Sequence, residues 1–154
     1  MIKIRQYVEA DTRAMWEIHF HTIRNINIRD YTQAQVEAWA PEHFDLAIWK
    51  QRMNALSPFV AELDGVIVGY TDLQENGLID HFFCHHDYQG QGVGKALINH
   101  VLAIGEEKGI QRFFSEVSIT AKPFYQHFGF EVVNAQDVEI RGQILRNFVM
   151  EKYR

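Results

Sequence analysis

Hydrophobic and polar positions alternate in some parts of the chain and recur every three to four residues in others, so strands and helices are mixed. Residues 2–7 alternate apolar and charged side chains, which predicts a short, half-exposed strand. Apolar side chains at helical spacing predict a first helix from Thr12 to about Ile23. A Thr-x-x-Gln capping box at Thr32 predicts a second helix that Pro41 stops, and residues 45–56 read as a third, short helix.

The middle and the end of the chain predict mainly strands. An antiparallel meander covers residues 59–63, 66–73 and 78–84, with hairpin turns at the dipeptides Asp64-Gly65 and Asn76-Gly77. A long amphipathic helix follows, up to Lys108. Later elements, in chain order, are a strand at 112–117, a short helix at 118–128, a strand at 131–134 and a last strand at 143–152.

This order predicts an α+β fold with one mixed sheet. Two or three helices precede three antiparallel strands, and a helix then crosses to the next strand, a connection that is right-handed in nearly all proteins. A chain of 154 residues has the size of one domain, so we expect residues 1–154 to form a single domain.

A glycine loop joins the strand at 78–84 to the long helix. The first N–H groups of a helix have no partner inside it and carry partial positive charge, so such a loop is suited to bind phosphate. Glycine lets the ligand approach the backbone and enters positive φ at low cost. The dinucleotide fingerprint and the Walker loop both fail to match the letters. The loop consists of Gln89, Gly90, Gln91, Gly92, Val93 and Gly94.

The composition argues against several classes of binding partner. The net charge of −5, from 15 basic and 20 acidic residues, argues against a nucleic-acid surface and favours a cationic small molecule. A single cysteine, Cys84, cannot form an internal disulfide. Because no window has the length of a membrane span and the first residues lack the apolar core of a signal peptide, we expect a cytoplasmic protein without membrane partners.

Two motifs carry a resemblance to a known family. Gln89-x-x-Gly92-x-Gly94, after a strand and before a helix, resembles the coenzyme A loop of the GCN5-related N-acetyltransferases (GNAT). Ala121-x-x-Phe124-Tyr125-x-x-x-Gly129-Phe130 resembles the downstream signature of the same family, and several stretches look like one uncharacterised bacterial subgroup. The resemblance implies the GNAT fold, a mostly antiparallel sheet splayed between its fourth and fifth strands, with acetyl-CoA as co-substrate and no metal.

The resemblance also implies a cofactor site. The pyrophosphate would bind the main-chain amides from Gln89 to Gly94. Residues two apart in a strand present backbone groups on one edge, so Phe82 and Cys84 would offer their amides to the thioester and the pantetheine arm. Ser118 stands where many members carry an asparagine that holds the pantetheine.

Acetyl transfer to an amine needs a base and an acid. Tyr125 matches the family's tyrosine near the cofactor sulfur and is the candidate acid, the alternative being a packed core aromatic. For the base, Asp80 is favoured because the two-residue period puts it on one face with Phe82, while His81, expected to face the other way, and Glu116 stay open. Cys84 could act as an acyl-accepting nucleophile, but a small hydrophobic role is the simpler interpretation.

The acceptor site and the partners are less defined. Tyr31 and Trp39 are candidate substrate contacts, with a core role as the alternative for Trp39. The histidines near Cys84 have poor metal-ligand spacing, so no metal is expected. The predicted function is acetyl transfer to a primary amine of a small molecule; a non-catalytic coenzyme A-binding module is the alternative, and a homodimer is left open.

Overall fold

The computed structural model of the chain describes residues 1–154 and contains seven strands and five α-helices. In chain order they are β1 (Ile2–Gln6), α1 (Thr12–Asn25), α2 (Gln33–Trp39), α3 (Leu46–Leu56), β2 (Phe59–Leu63), β3 (Val66–Thr71), β4 (Phe82–Cys84), α4 (Val93–Glu107), β5 (Arg112–Ser118), α5 (Lys122–His127), β6 (Glu131–Ile140) and β7 (Gln143–Tyr153).

The strands form two antiparallel sheets that meet at one point. β1, β2, β3 and β4 lie side by side in that order, and β5, β7 and β6 form the second sheet. A single parallel bridge between Leu78 and Phe114 joins them. The predicted α+β fold, with a sheet splayed between its fourth and fifth strands, is therefore confirmed.

The strand predicted over residues 78–84 is broken, and the prediction of one continuous strand was wrong. The buried Asp72 carboxylate accepts the main-chain amides of Asp80, at 3.1 Å, and of His81, at 2.6 Å. Before this break the chain contacts β5, and after it the chain pairs with β3. The same aspartate ends β3 at Thr71 rather than at the predicted residue 73.

The hairpin of β6 and β7 is longer than predicted. The strand expected at 131–134 continues to Ile140, and it pairs with β7 along its length with one bulge between Val132 and Asn134. Arg141 and Gly142 form the turn with φ of 46° and 84°, as a two-residue hairpin connection requires. This long hairpin reaches α2, which matters for the acceptor end of the site.

Helix α4 lies against both sheets and contributes most of its apolar face to the core. Ile98 and Val101 pack with Phe113 and Phe130 in one buried cluster. A second cluster joins α1 and α3 to the first sheet around Trp49, whose Nε1 donates to the Thr12 carbonyl at 3.1 Å. None of the helices has the length and hydropathy needed to cross a membrane.

Candidate active site

A cavity of about 840 Å³ opens where the two sheets separate. It extends from the glycine loop at the start of α4 to α1, α2 and the β6–β7 hairpin. Of the predicted site residues only Gln91 lies outside its lining, exposed at the loop surface. The others all line the cavity: Tyr31, Trp39, Asp80, Phe82, Cys84, Gln89, Gly90, Gly92, Val93, Gly94, Ser118 and Tyr125.

The glycine loop presents a row of free main-chain donors. None of the amides from Gln89 to Lys95 donates a hydrogen bond within the protein, because α4 begins at Val93 and its internal bonds start further along the chain. Lys95, in the first turn, also lines the cavity and adds a positive charge. Free amides, a helix start and a lysine form an arrangement that fits a diphosphate.

Glycine is required in this loop for two different reasons. Gly90 and Gly92 have φ of 74° and 86°, a conformation that residues with a Cβ adopt only with strain. Gly94 is helical, but a Cβ there would lie 2.8 Å from Cε1 of Phe124. The first two glycines shape the loop, and the third lets α4 approach α5.

The Gln89 side chain holds the loop in place. Its Nε2 donates to the carbonyls of Cys84, at 3.0 Å, and His85, at 3.2 Å. The Cys84 carbonyl also accepts the Thr22 hydroxyl at 2.8 Å, which connects α1 to the end of β4. Gln89 thus leaves its own backbone amide, rather than its side chain, for an anion.

The β4 edge that faces β5 is open. The His85 amide donates to Val68 of β3 at 2.8 Å, and Phe83 is paired with Tyr70. Because alternate residues direct their amides to the same side, the amides of Phe82 and Cys84 point away from β3, into the gap between the sheets. An extended polar chain could pair there as an added strand.

Tyr125 lies at the base of this gap. The side chain is only 2% exposed and packs edge-on against Phe82 and Phe130. Burial raises the pKa of the Tyr125 phenol well above its ordinary value, and an interaction with the Ser115 hydroxyl partly opposes the shift. The phenol therefore stays protonated at neutral pH and can donate a hydrogen bond, but it does not act as a base.

The Cys84 thiol is not activated. Burial raises the pKa of Cys84 to about 12, so the thiolate that a nucleophile needs is scarce at neutral pH. No cation or imidazole donates to its sulfur. This environment suits the small hydrophobic role rather than the nucleophilic one.

The three candidate bases all line the cavity but differ in environment. Asp80 is exposed. Its main-chain amide donates to the Asp72 carboxylate, but its own carboxylate has no hydrogen-bond partner within the protein. Glu116 is also exposed and accepts a short hydrogen bond from Gln136 on β6. His81 also lines the cavity, but its ring packs with Tyr70 and Phe83 on the side of the strand opposite to Phe82, as the two-residue period predicts.

His81 belongs to a buried polar chain. Its Nδ1 lies 3.1 Å from the Tyr70 hydroxyl, which lies 3.4 Å from Nδ1 of His19. Burial lowers the pKa of His81 to about 4, although the nearby Asp80 charge opposes this. Burial likewise lowers the pKa of His19. Both imidazoles are therefore neutral at neutral pH, and His81 is a weak base.

Polar groups also occur on the wall formed by β5, α5 and β7. The Ser118 hydroxyl accepts the Ala121 amide at 3.0 Å and the Asn27 side-chain amide at 3.3 Å, so it caps the turn into α5. Thr120 Oγ1 and Asn147 Oδ1 are buried without a hydrogen-bond partner. Both line the cavity, and they were not identified from the sequence because isolated polar residues carry no pattern.

The end of the cavity next to Tyr31 and Trp39, the candidate acceptor end, is covered by contacts between the α2 region and the β6–β7 hairpin. The Tyr31 hydroxyl donates to the Arg146 carbonyl at 2.6 Å and accepts the Ile119 amide at 2.9 Å. Gln35 donates to the Ile144 carbonyl at 2.8 Å. Because both hydrogen-bonding capacities of the Tyr31 hydroxyl are used, its ring is what lines the cavity, next to Trp39.

One histidine cluster could suggest a metal. Ligand atoms of His85, His86 and Asp87 lie within 4.8 Å of one another. However, His85 Nδ1 accepts the Asp87 amide at 3.0 Å, so a neutral His85 carries its proton on Nε2. Neither nitrogen of His85 is then free for a metal, and the cluster offers too few ligands to carry a proposal.

Comparisons with known proteins agree with this geometry. The family model of the acetyltransferase (GNAT) domain matches residues 27–153. The uncharacterized N-acetyltransferase YafP of Escherichia coli K12 is 31% identical over 149 residues, 97% of this chain and 94% of the relative.

Solved structures give the same result. A GCN5-related N-acetyltransferase from Rhodopseudomonas palustris superposes with a TM-score of 0.94 at 29% identity, covering 99% of this chain and 95% of that one. The PaiA N-acetyltransferase of Thermoplasma acidophilum, solved in complex with coenzyme A, has the same fold, with a TM-score of 0.76 at 19% identity over 100% and 99% of the two chains. The chain belongs to the GNAT family of N-acetyltransferases.

Proposed function

We propose that the protein transfers the acetyl group of acetyl-CoA directly to a primary amine of a small molecule. The observation that carries this proposal is the single cavity that connects free amides at the start of α4, the open edge of β4 and the protonated phenol of Tyr125. Coenzyme A in the PaiA structure, which shares the fold, supports acetyl-CoA as the donor.

Different residues would bind different parts of the cofactor. The amides of the loop from Gln89 to Gly94 would bind the pyrophosphate, with Lys95 supplying positive charge. The amides of Phe82 and Cys84 would bind the extended pantetheine arm and polarise the thioester carbonyl. The Ser118 oxygen already accepts two hydrogen bonds, so it would offer the pantetheine only its O–H, at the place where many family members carry an asparagine.

In the proposed reaction Asp80 serves as the base and Tyr125 as the donor to the leaving group. Asp80 accepts a proton from the substrate ammonium, directly or through a water, and its exposure lets it release that proton to solvent. The free amine attacks the thioester carbon, the carbon–sulfur bond breaks, the thiolate leaves, and the nitrogen gives up its second proton to the thiolate or to solvent. Tyr125 donates its phenolic hydrogen bond to the departing sulfur, which would otherwise carry an unpaired charge in a dry pocket.

A small acceptor fits the site better than a protein does. The side chains of Tyr31 and Gln35 close the acceptor end by hydrogen bonds to main-chain carbonyls of the β6–β7 hairpin. A lysine on a folded protein would need this end to be open, whereas a small amine needs only the volume already present.

Binding is tested by thermal unfolding with and without acetyl-CoA. Ligand at a hundred times its Kd adds about 2.7 kcal/mol. For a chain of this length the midpoint should rise by about 5 to 10 °C. No shift would refute the proposed cofactor site, and with it both the transferase and the binding-module interpretation.

Turnover separates these two interpretations. Release of free coenzyme A is measured across a panel of small amines and a lysine peptide, for wild type, Tyr125→Phe and Asp80→Asn. We expect each variant to lose about 10²-fold in kcat while keeping the acetyl-CoA stabilisation. Glu75→Gln, an exposed acid outside the cavity, is the matched control. Stabilisation without turnover of any amine would favour the non-catalytic module, and unchanged rates would remove the roles of Tyr125 and Asp80.

A further inference from the structure

Two arginines meet over one aromatic ring at the acceptor end of the cavity. Arg52 comes from α3, and Arg141 comes from the turn between β6 and β7. Their guanidinium carbons lie 5.5 Å and 5.6 Å from the centre of the Phe44 ring, and all three residues line the cavity. Elements distant in the sequence thus bring two positive charges to one wall.

Neither guanidinium has an acidic partner. Arg141 donates only to the Ala38 carbonyl, at 2.7 Å, and Arg52 makes no hydrogen bond or ion pair at all. Elsewhere in the chain Arg5, Arg112 and Arg146 are each paired with a carboxylate, whereas the unpaired Arg13 and Arg29 lie outside this cavity. In a protein with a net charge of −5, two unpaired arginines facing one cavity need an explanation.

Their charges reach the interior of the site. Both Arg52 and Arg141 contribute to lowering the pKa of the buried His19, after the larger effect of burial. Arg52 has the same effect on His81, which adjoins Asp80. The positive wall therefore lies close enough for its charge to act on His81, the neighbour of the candidate base Asp80.

We propose that Arg52 and Arg141 bind a carboxylate of the acceptor, so that the substrate is an amino acid or a similar amine that carries both an acid and an apolar group. This inference deepens the proposed function and rests on it. Guanidinium groups recognise carboxylates through charge-assisted, often bidentate hydrogen bonds. The apolar group would lie against Trp16, which stacks on Phe44 with 5.0 Å between ring centres, and against Trp39.

The test compares acceptors that share a ring and an amine. Acetylation is measured for phenylalanine, phenylalaninamide, phenethylamine and the phosphonate analogue of phenylalanine, 1-amino-2-phenylethylphosphonate, at saturating acetyl-CoA. We expect kcat/KM to be about tenfold or more higher for phenylalanine than for its amide, which has no negative charge. Equal rates for the acid and the amide would overturn the proposal, and so would a preference for the phosphonate over the carboxylate.

Variants assign the preference to the two side chains. Arg52→Gln and Arg141→Gln should each lower kcat/KM for phenylalanine by about 10- to 100-fold, mainly through KM, and leave phenethylamine within about twofold. Arg29→Gln, an exposed arginine outside the cavity, removes the same charge and should change neither. Equal losses for both substrates, or the same loss in the Arg29 control, would contradict a carboxylate subsite.

A binding readout separates this proposal from the proposed function. The expected product, N-acetylphenylalanine, should raise the unfolding midpoint of the wild type but not of Arg52→Gln, whereas the neutral N-acetylphenethylamine should act equally on both. If that difference is found and no amine is acetylated, the subsite stands and the catalytic proposal fails. If amines are acetylated without any preference for acids, the catalytic proposal stands and the subsite is refuted.

Discussion

Asp72 is the residue on which the shape of the site depends most directly, and replacing it gives a sharp prediction. Its carboxylate is fully buried and accepts the amides of Asp80 and His81 together with Nε2 of Gln74, the last at 2.6 Å. In Asp72→Asn, an oxygen at the Oδ1 position keeps both main-chain bonds. The bonds lost are those to Oδ2, from Nε2 of Gln74 and the second, longer contact of the Asp80 amide at 3.2 Å.

The expected change in the free energy of unfolding follows from the protonation equilibrium of Asp72. Burial raises the pKa of Asp72 from 3.8 to about 6, a difference of about two units, or about 3 kcal/mol. Because the folded protein binds this proton more tightly than the unfolded chain does, the stabilisation is fully present below about pH 4 and is lost as the pH rises through 6. The neutral asparagine avoids that loss and gives up about 1 kcal/mol for the bond to Gln74.

The two stability curves should therefore cross. Urea unfolding of wild type and Asp72→Asn is measured from about pH 3 to about pH 7.5, and the difference between them removes the contributions of all other groups. We expect the variant to be less stable by about 1 kcal/mol at the acid end and more stable by about 2 kcal/mol at the neutral end. A difference that does not change with pH, or that moves the other way, would refute the assignment of Asp72.

Three further substitutions test other parts of the site. Cys84→Ala should keep kcat within about threefold. Iodoacetamide should leave the wild-type thiol unmodified at pH 8, because burial raises the pKa of Cys84 to about 12. Loss of activity on alkylation would contradict this. Gly92→Ala should weaken acetyl-CoA binding about tenfold in calorimetry because its φ of 86° would strain the loop, and unchanged affinity would count against the loop as the anion site. Tyr31→Phe should cost about 1–3 kcal/mol in urea unfolding, since the Ile119 amide loses its acceptor, whereas the exposed Tyr153→Phe should cost almost nothing.

The sequence predicted the parts of the fold that are encoded locally. The capping box at Thr32, with bonds in both directions to Gln35, is present as expected. The glycine loop and the start of α4 were also predictable, because glycine at positive φ and an amphipathic helix leave a strong pattern within a few residues.

What the sequence could not show depends on long-range pairing. Nothing near Asp72 indicates that its carboxylate will bind the amides of Asp80 and His81, so the strand was read as continuous through them. The contacts between the α2 region and the β6–β7 hairpin, and the pairing of two arginines over Phe44, also depend on residues that are distant in the sequence. Arg52 and Arg141 are 89 positions apart and read as ordinary solvent-facing charges until the hairpin and α3 come together at Phe44.

The break at residues 80–81 connects these features, because a regular strand would provide none of them. If β4 continued unbroken from residue 78 to residue 84, its outer edge would pair with β5 along its whole length, and the amides of Phe82 and Cys84 would be used within the sheet. Asp72 takes up the two amides that leave the ladder, so the sheets separate without unsatisfied donors. The same displacement brings both Asp80 and His81 to the cavity wall. One buried carboxylate, kept at a cost in stability at neutral pH, therefore maintains both the open edge of β4 and the position of the candidate base.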